Sequence, residues 1–108
     1  MKHDFEEQRC ATEEVLADLA SKIQLPERAN LDLQFVPVAD ADGDGLAEAL
    51  AAAGYAGELI VDEDDEWFEV TVADVPVTLD GIWQHERATT EVALSFGFRP
   101  DGWGFSVD

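Results

Sequence analysis

Two stretches of strict alternation constrain what this chain can fold into. Leu31, Leu33 and Phe35 alternate with Asp32 and Gln34, and Phe68, Val70 and Val72 alternate with Trp67, Glu69 and Thr71. Successive side chains of a strand point to opposite faces, so each stretch predicts a strand with one apolar face. If Phe68, Val70 and Val72 face the core, Trp67 points to the other side of the sheet, beside Val36 and Ile60. That second face is then either covered by a further element or left open to a partner, because exposed apolar clusters mark interfaces.

Helical segments alternate with these strands. Phe5, Val15, Leu16, Leu19, Ala20 and Ile23 fall on one side of a 3.6-residue wheel, with Glu6, Glu7, Glu13, Glu14 and Asp18 away from it, which predicts an amphipathic helix over 5–23 ended by Pro26. A short Ala-rich helix is expected over 46–53, closed by Gly54, and a third from Thr78 or Asp80 to about Phe96, stopped by Gly97, with Ile82, Thr89, Ala93 and Phe96 along one side. A strand at 58–62 joins the one at 67–73 through the acidic run 62–66 as a hairpin, and a last strand is expected at 98–107, with Trp103, Phe105 and Val107 sharing one face. The order is αβαββαβ. Its last six elements spell an α+β fold of the ferredoxin-like, split βαβ kind, an antiparallel sheet with helices on one face, to which the first helix is an addition. The reading is one domain over 1–108, with the core at about 31–107.

Charge narrows the partners. The chain has 108 residues, 46% of them hydrophobic, and six Lys plus Arg against 25 Asp plus Glu leave a formal charge of −19. The apolar content is enough for a folded core, while the negative field repels phosphate backbones and attracts basic segments at long range. Direct nucleic-acid binding is therefore disfavoured. Cys10 is the single cysteine, which excludes an internal disulfide and fits a reducing compartment. The charged start and the absence of a long apolar run lead to the expectation of a cytoplasmic protein with no membrane contact.

No constellation of residues points to catalysis. Asp40, Asp42, Asp44 and Gly45 match the first half of a calcium loop, but Ala51 stands where the bidentate acid is needed. His3, Cys10 and His85 lack the spacing of metal ligands, there is no nucleophile-elbow serine, and no glycine-rich phosphate loop is present. No cofactor and no enzymatic activity are expected. Arg9 falls within the apolar stripe of the first helix, with Gln8 at its edge; such an Arg packs its stem and sends its head to an acidic or carbonyl partner, or snorkels to solvent.

The segment Asp101-Gly102-Trp103-Gly104, after a helix ending in Ala93-Leu94-Ser95-Phe96-Gly97, closely resembles the C-terminal signature of the RraB-type regulators of ribonuclease E. Glu6-Glu7-Gln8-Arg9 with Thr12, Leu16 and Leu19 is similar to that family's first helix, and Gly54-Tyr55 to its helix stop. Glu86 and Thr89 stand where members tend to have apolar residues. The resemblance implies a ferredoxin-like α+β fold and a non-catalytic protein that binds a basic segment in the scaffold region of ribonuclease E and restrains messenger-RNA decay.

The expected function is accordingly a protein-binding regulator. The alternative is an acidic dimerising or adaptor module with another protein partner, and both a monomer and a homodimer fit the sequence. Trp67, the acidic hairpin residues Glu63, Asp64 and Asp65, and Arg9 are the candidate contact residues. Gln8, Arg9, Gly54, Tyr55, Asp101, Gly102, Trp103 and Gly104 are the expected signature and structural positions.

Overall fold

A computed structural model describes residues 3–38 and 40–106. Seven elements follow in order: α1 (Phe5–Lys22), β1 (Arg28–Pro37), α2 (Gly43–Ala52), β2 (Ala56–Val61), β3 (Glu66–Pro76), α3 (Leu79–Ser95) and β4 (Phe98–Ser106). This is the αβαββαβ order expected. The four strands form one sheet in the order β2-β3-β1-β4, with every neighbouring pair antiparallel. Each βαβ unit thus joins two strands that have a third between them, as a split βαβ pattern requires.

Local chemistry sets the helix ends. The Asp4 carboxylate accepts from the Glu7 backbone N–H at 3.0 Å, Asp42 accepts from Gly45, and the Thr78 hydroxyl accepts from Gly81, each capping the helix that follows. The acidic stretch around Asp42 therefore serves to open α2, which begins three residues earlier than the sequence reading placed it. At the other end of α2, Gly54 takes φ +90°, the Gly54 N–H bonds the Ala51 carbonyl at 3.0 Å and the Tyr55 N–H bonds that of Leu50 at 2.8 Å. That pair of bonds is a Schellman stop, and the left-handed backbone it needs is the reason for glycine there.

The apolar face of the sheet packs against α2 and α3. Leu31, Leu33 and Phe35 of β1, Phe68, Val70 and Val75 of β3, Leu46 and Leu50 of α2, Ile82 and Ala93 of α3, and Phe98 of β4 form one buried cluster. The alternation of β1 and β3 is borne out by the register, which pairs Phe35 with Phe68 and Leu33 with Val70.

Two irregularities in the register keep this face apolar. Between the pairs Ala29–Val75 and Leu31–Val72, β3 carries one extra residue in the Ala73–Asp74 stretch, and Asp74 takes φ 55° while its side chain and carbonyl accept from Arg28 at 2.6 and 2.7 Å. The bulge returns Val75 to the core side. In β4, Gln34 pairs with Gly102 but Phe35 pairs with Pro100, so Asp101 is the additional residue and Gly102, at φ +141°, absorbs the distortion. As a result Phe98 and Trp103, five positions apart, both lie on the helix-covered face. Trp103 and Phe105 share that face, stacked with ring centroids 6.3 Å apart, as their parity predicts; Val107 lies outside the described residues.

The first helix departs from expectation. Thr12 is its one buried residue, Gln8, Leu16 and Leu19 are half-buried, and Val15, Ala20 and Ile23 are exposed. The buried line runs through 8, 12, 16 and 19, so Gln8 turns inward, whereas Arg9, expected within the packed stripe, is exposed. A broad apolar stripe is not needed because α1 meets α3 largely through polar groups, with Leu16 on the core and the Phe5 ring under Arg87, and does not cover the sheet.

Candidate functional site

Two surfaces gather the residues that carry chemistry. The first is the face of the sheet opposite α2 and α3, on which no helix packs among the described residues. Trp67 pairs with Ile60 across β2 and β3, and lies half-buried in a depression of about 340 Å3 lined by Gln34, Val36, Asp65, Glu66 and Asp101. The position follows from alternation, since Phe68 is fully buried on the other side. The Trp67 indole N–H donates to Glu69 at 3.3 Å, which leaves the ring face to the depression. Asp32, Glu58, Glu69 and Asp101 add negative charge on or beside this face; against them stand Arg99 and, at the start of β1, Arg28, which is paired with Asp74.

The hairpin between β2 and β3 rises at one end of that depression. Its turn is closed by the Asp62 N–H donating to the Asp65 carbonyl at 2.8 Å, and Glu63, Asp64 and Asp65 are exposed. The fold therefore brings Trp67 and the acidic hairpin together. It does not bring Arg9 to them, because α1 packs on α3, on the opposite side of the sheet.

The second surface is the seam where α1 meets α3 and β4. Glu86 of α3 is 6% exposed, and its carboxylate accepts from the Thr12 hydroxyl at 2.5 Å and from the Gln8 side-chain amide at 3.0 Å. That amide also donates to Thr90 at 3.1 Å, while the Gln8 carbonyl oxygen lies 2.5 Å from His3 Nε2. The Trp103 indole N–H in turn donates to the Thr12 hydroxyl at 3.3 Å. Burial pushes the Glu86 pKa above its ordinary value, against the opposing pull of the Thr12 and Gln8 hydrogen bonds and of His3. Gln8 and Trp103, expected as signature positions, are thus tied together through Thr12 and Glu86.

Tyr55 and His85 form a smaller pair between the start of β2 and α3. The Tyr55 hydroxyl lies 3.0 Å from His85 Nδ1, and burial raises the tyrosine pKa and lowers that of the histidine. Their surroundings pack Tyr55 against the core, so the pair braces the α2 stop against α3.

With this geometry in view, the sequence profile described as RraB, regulator of ribonuclease activity B, matches residues 9–105. The chain belongs to the RraB family. The match spans nearly the whole chain and includes Arg9, Gly54, Tyr55 and the Asp101–Gly104 signature, so the RraB family is recognised over the sheet, α2, α3 and most of α1. No curated protein sequence matches the chain. Among the described residues, no helix is long and apolar enough to cross a membrane. RraB proteins are regulators of ribonuclease activity, and the two surfaces described above are where this RraB chain concentrates exposed aromatic, acidic and buried polar chemistry.

Glu86 and Thr12 are the functional-looking residues that sequence reasoning missed as a site. The signal was present as a polar residue on the inward side of α3 together with a threonine one turn after Gln8 on α1. Neither is informative until α1 and α3 are known to touch.

Proposed function

We propose that this protein restrains a ribonuclease by binding it and not by catalysis, and that a basic segment of ribonuclease E docks on the open sheet face around Trp67. The observation that supports the reading is the depression itself: the Trp67 ring with Val36, Asp65, Glu66 and Asp101 around it, Ile60 as its cross-strand neighbour and Glu69 as the acceptor of its indole N–H. An aromatic anchor inside a polar rim is the usual form of a binding hot spot, and the acidic rim selects Arg or Lys around it. A second copy of the chain suits this face less well, because each copy carries a formal charge of −19.

The test is surface plasmon resonance with an Arg-rich peptide from the scaffold region of the host's ribonuclease E, run at several salt concentrations. Trp67→Ala is expected to raise the dissociation rate about tenfold or more with the fold retained by circular dichroism, as for loss of a hot-spot aromatic. Replacing Glu63, Asp64 and Asp65 with Asn or Gln is expected to slow association chiefly at low salt. Unchanged dissociation in Trp67→Ala would remove the sheet face from the reading, and binding that ignores salt would remove the electrostatic part.

A further inference from the structure

The seam beside α1 contains a groove of about 310 Å3 whose lining includes Gln8, Thr12, Val15, Glu86, Pro100 and Trp103. Glu86 lies at its inner end. Buried carboxylates are normally paired with a cation, yet the direct partners of this one are a hydroxyl and an amide. Two hydrogen bonds leave accepting capacity on a carboxylate that can take about four. The walls suit an alkyl chain: Val15, 46% exposed, lines the same groove as Trp103, whose indole its bond to Thr12 holds in place.

We propose that this groove receives one Lys or Arg side chain of a basic protein segment, its stem against Val15, Pro100 and Trp103 and its charged head at Glu86. The site lies on the opposite side of β4 from Trp67, and it rests on the reading that the partner is a basic segment. Charge complementarity selects that occupant, since a cation supplies what the buried carboxylate lacks and an acidic or neutral side chain does not. The two surfaces are also contiguous. Asp101 lines both the groove and the Trp67 depression, and β4 is an edge strand, so one extended segment that crosses the edge at Asp101 can reach both.

The experiment is a nuclear magnetic resonance titration of the full chain with the peptide acetyl-Arg-Gly-Arg-Gly-Arg-amide, using the same peptide with citrulline at each Arg position as the neutral control. The indole N–H signals of Trp103 and Trp67 report the two surfaces separately. Arginine peptide is expected to shift the Trp103 signal and citrulline peptide is not. Glu86→Gln is expected to weaken the Trp103 response about tenfold, with the free-state Trp103 signal showing that the seam is intact. Val15→Arg, which leaves Glu86 and its partners untouched, places the chain's own guanidinium in the groove; it is expected to abolish the Trp103 response and leave that of Trp67. A Trp103 signal that ignores the arginine peptide, responds equally to citrulline, or responds undiminished in both variants overturns the groove. Movement of Trp67 alone would do so while sparing the sheet face, and movement of Trp103 alone would sink the sheet-face reading and keep the groove.

Discussion

The two places where helices meet the rest of the molecule are built from different materials. Beneath α2 and α3, the contact is a dry cluster of Leu, Phe, Val, Ile and Ala, with Phe68 and Phe98 edge to face at 5.8 Å between ring centroids. Between α1 and α3, the centre of the contact is Thr12 and Gln8 on Glu86, with the apolar residues Val15 and Ile23 left in solvent. Apolar packing is non-directional and scales with area, whereas a hydrogen-bonded seam contributes little net stability but penalises any member left alone. The core therefore holds the domain together, and the seam specifies where one helix lies. Helix α1 is expected to be the part that opens first.

The largest effect should come from the core. Phe68→Ala removes a ring that is fully buried among Phe35, Val70 and Phe98, and is expected to cost about 3–5 kcal/mol in urea unfolding. A loss under about 1 kcal/mol would mean that the apolar cluster is not what stabilises this domain. Thr12→Val keeps the shape and removes both the donor to Glu86 and the acceptor for Trp103. The expected cost is about 1–3 kcal/mol, read as faster hydrogen exchange along α1 while α3 and the central strands stay protected. Equal acceleration in α1 and α3 would make the two contacts one cooperative unit and dissolve the contrast.

The smallest effect concerns charge within the seam. The Glu86 pKa is raised in the folded protein above its ordinary 4.5, so the stability this group contributes is full below that pH and is lost as pH rises through the folded value. Glu86→Gln removes that loss. The stability of the parent relative to the variant is expected to fall with rising pH above about 4.5 and to level off once the raised folded value has been passed. A difference that grows with pH would show that hydrogen bonding outweighs burial at this carboxylate.

Much of the architecture could be read in the sequence because period and punctuation carry it. Alternation set the faces of β1 and β3 and put Trp67 opposite Phe68, while Gly54 and Pro26 marked helix ends. The seam was hidden for a physical reason: a helix that docks largely through amide, hydroxyl and carboxylate groups has a weak apolar moment, so Phe5, Leu16 and Leu19 point correctly inward while Val15, Ala20 and Ile23 mislead. Hence Arg9 was set in a packed stripe and Gln8 at its margin, when the helix turns Gln8 inward. In β4, strict alternation would set Phe98 and Trp103 on opposite faces, and nothing in the local sequence except Asp101-Gly102 announces the residue that reconciles them. The acidic hairpin and Trp67 were neighbours in sequence already; their placement on a helix-free face required knowing where α1 packs.

The extra residue at Asp101 has a consequence for how this molecule can change over time. It works as a phase shifter: everything after it is displaced by half a pleat, so length at this point matters more than identity. The Asp101 side chain is exposed, and substitutions there disturb little of the interior. Deleting the position would instead rotate Trp103 and Phe105 through the sheet, taking the indole away from Thr12 and setting two rings on the acidic face. Among descendants of this chain, the fold alone lets position 101 vary in side chain but scarcely ever in number, so an acid kept there is kept for the surfaces it lines and not for the interior.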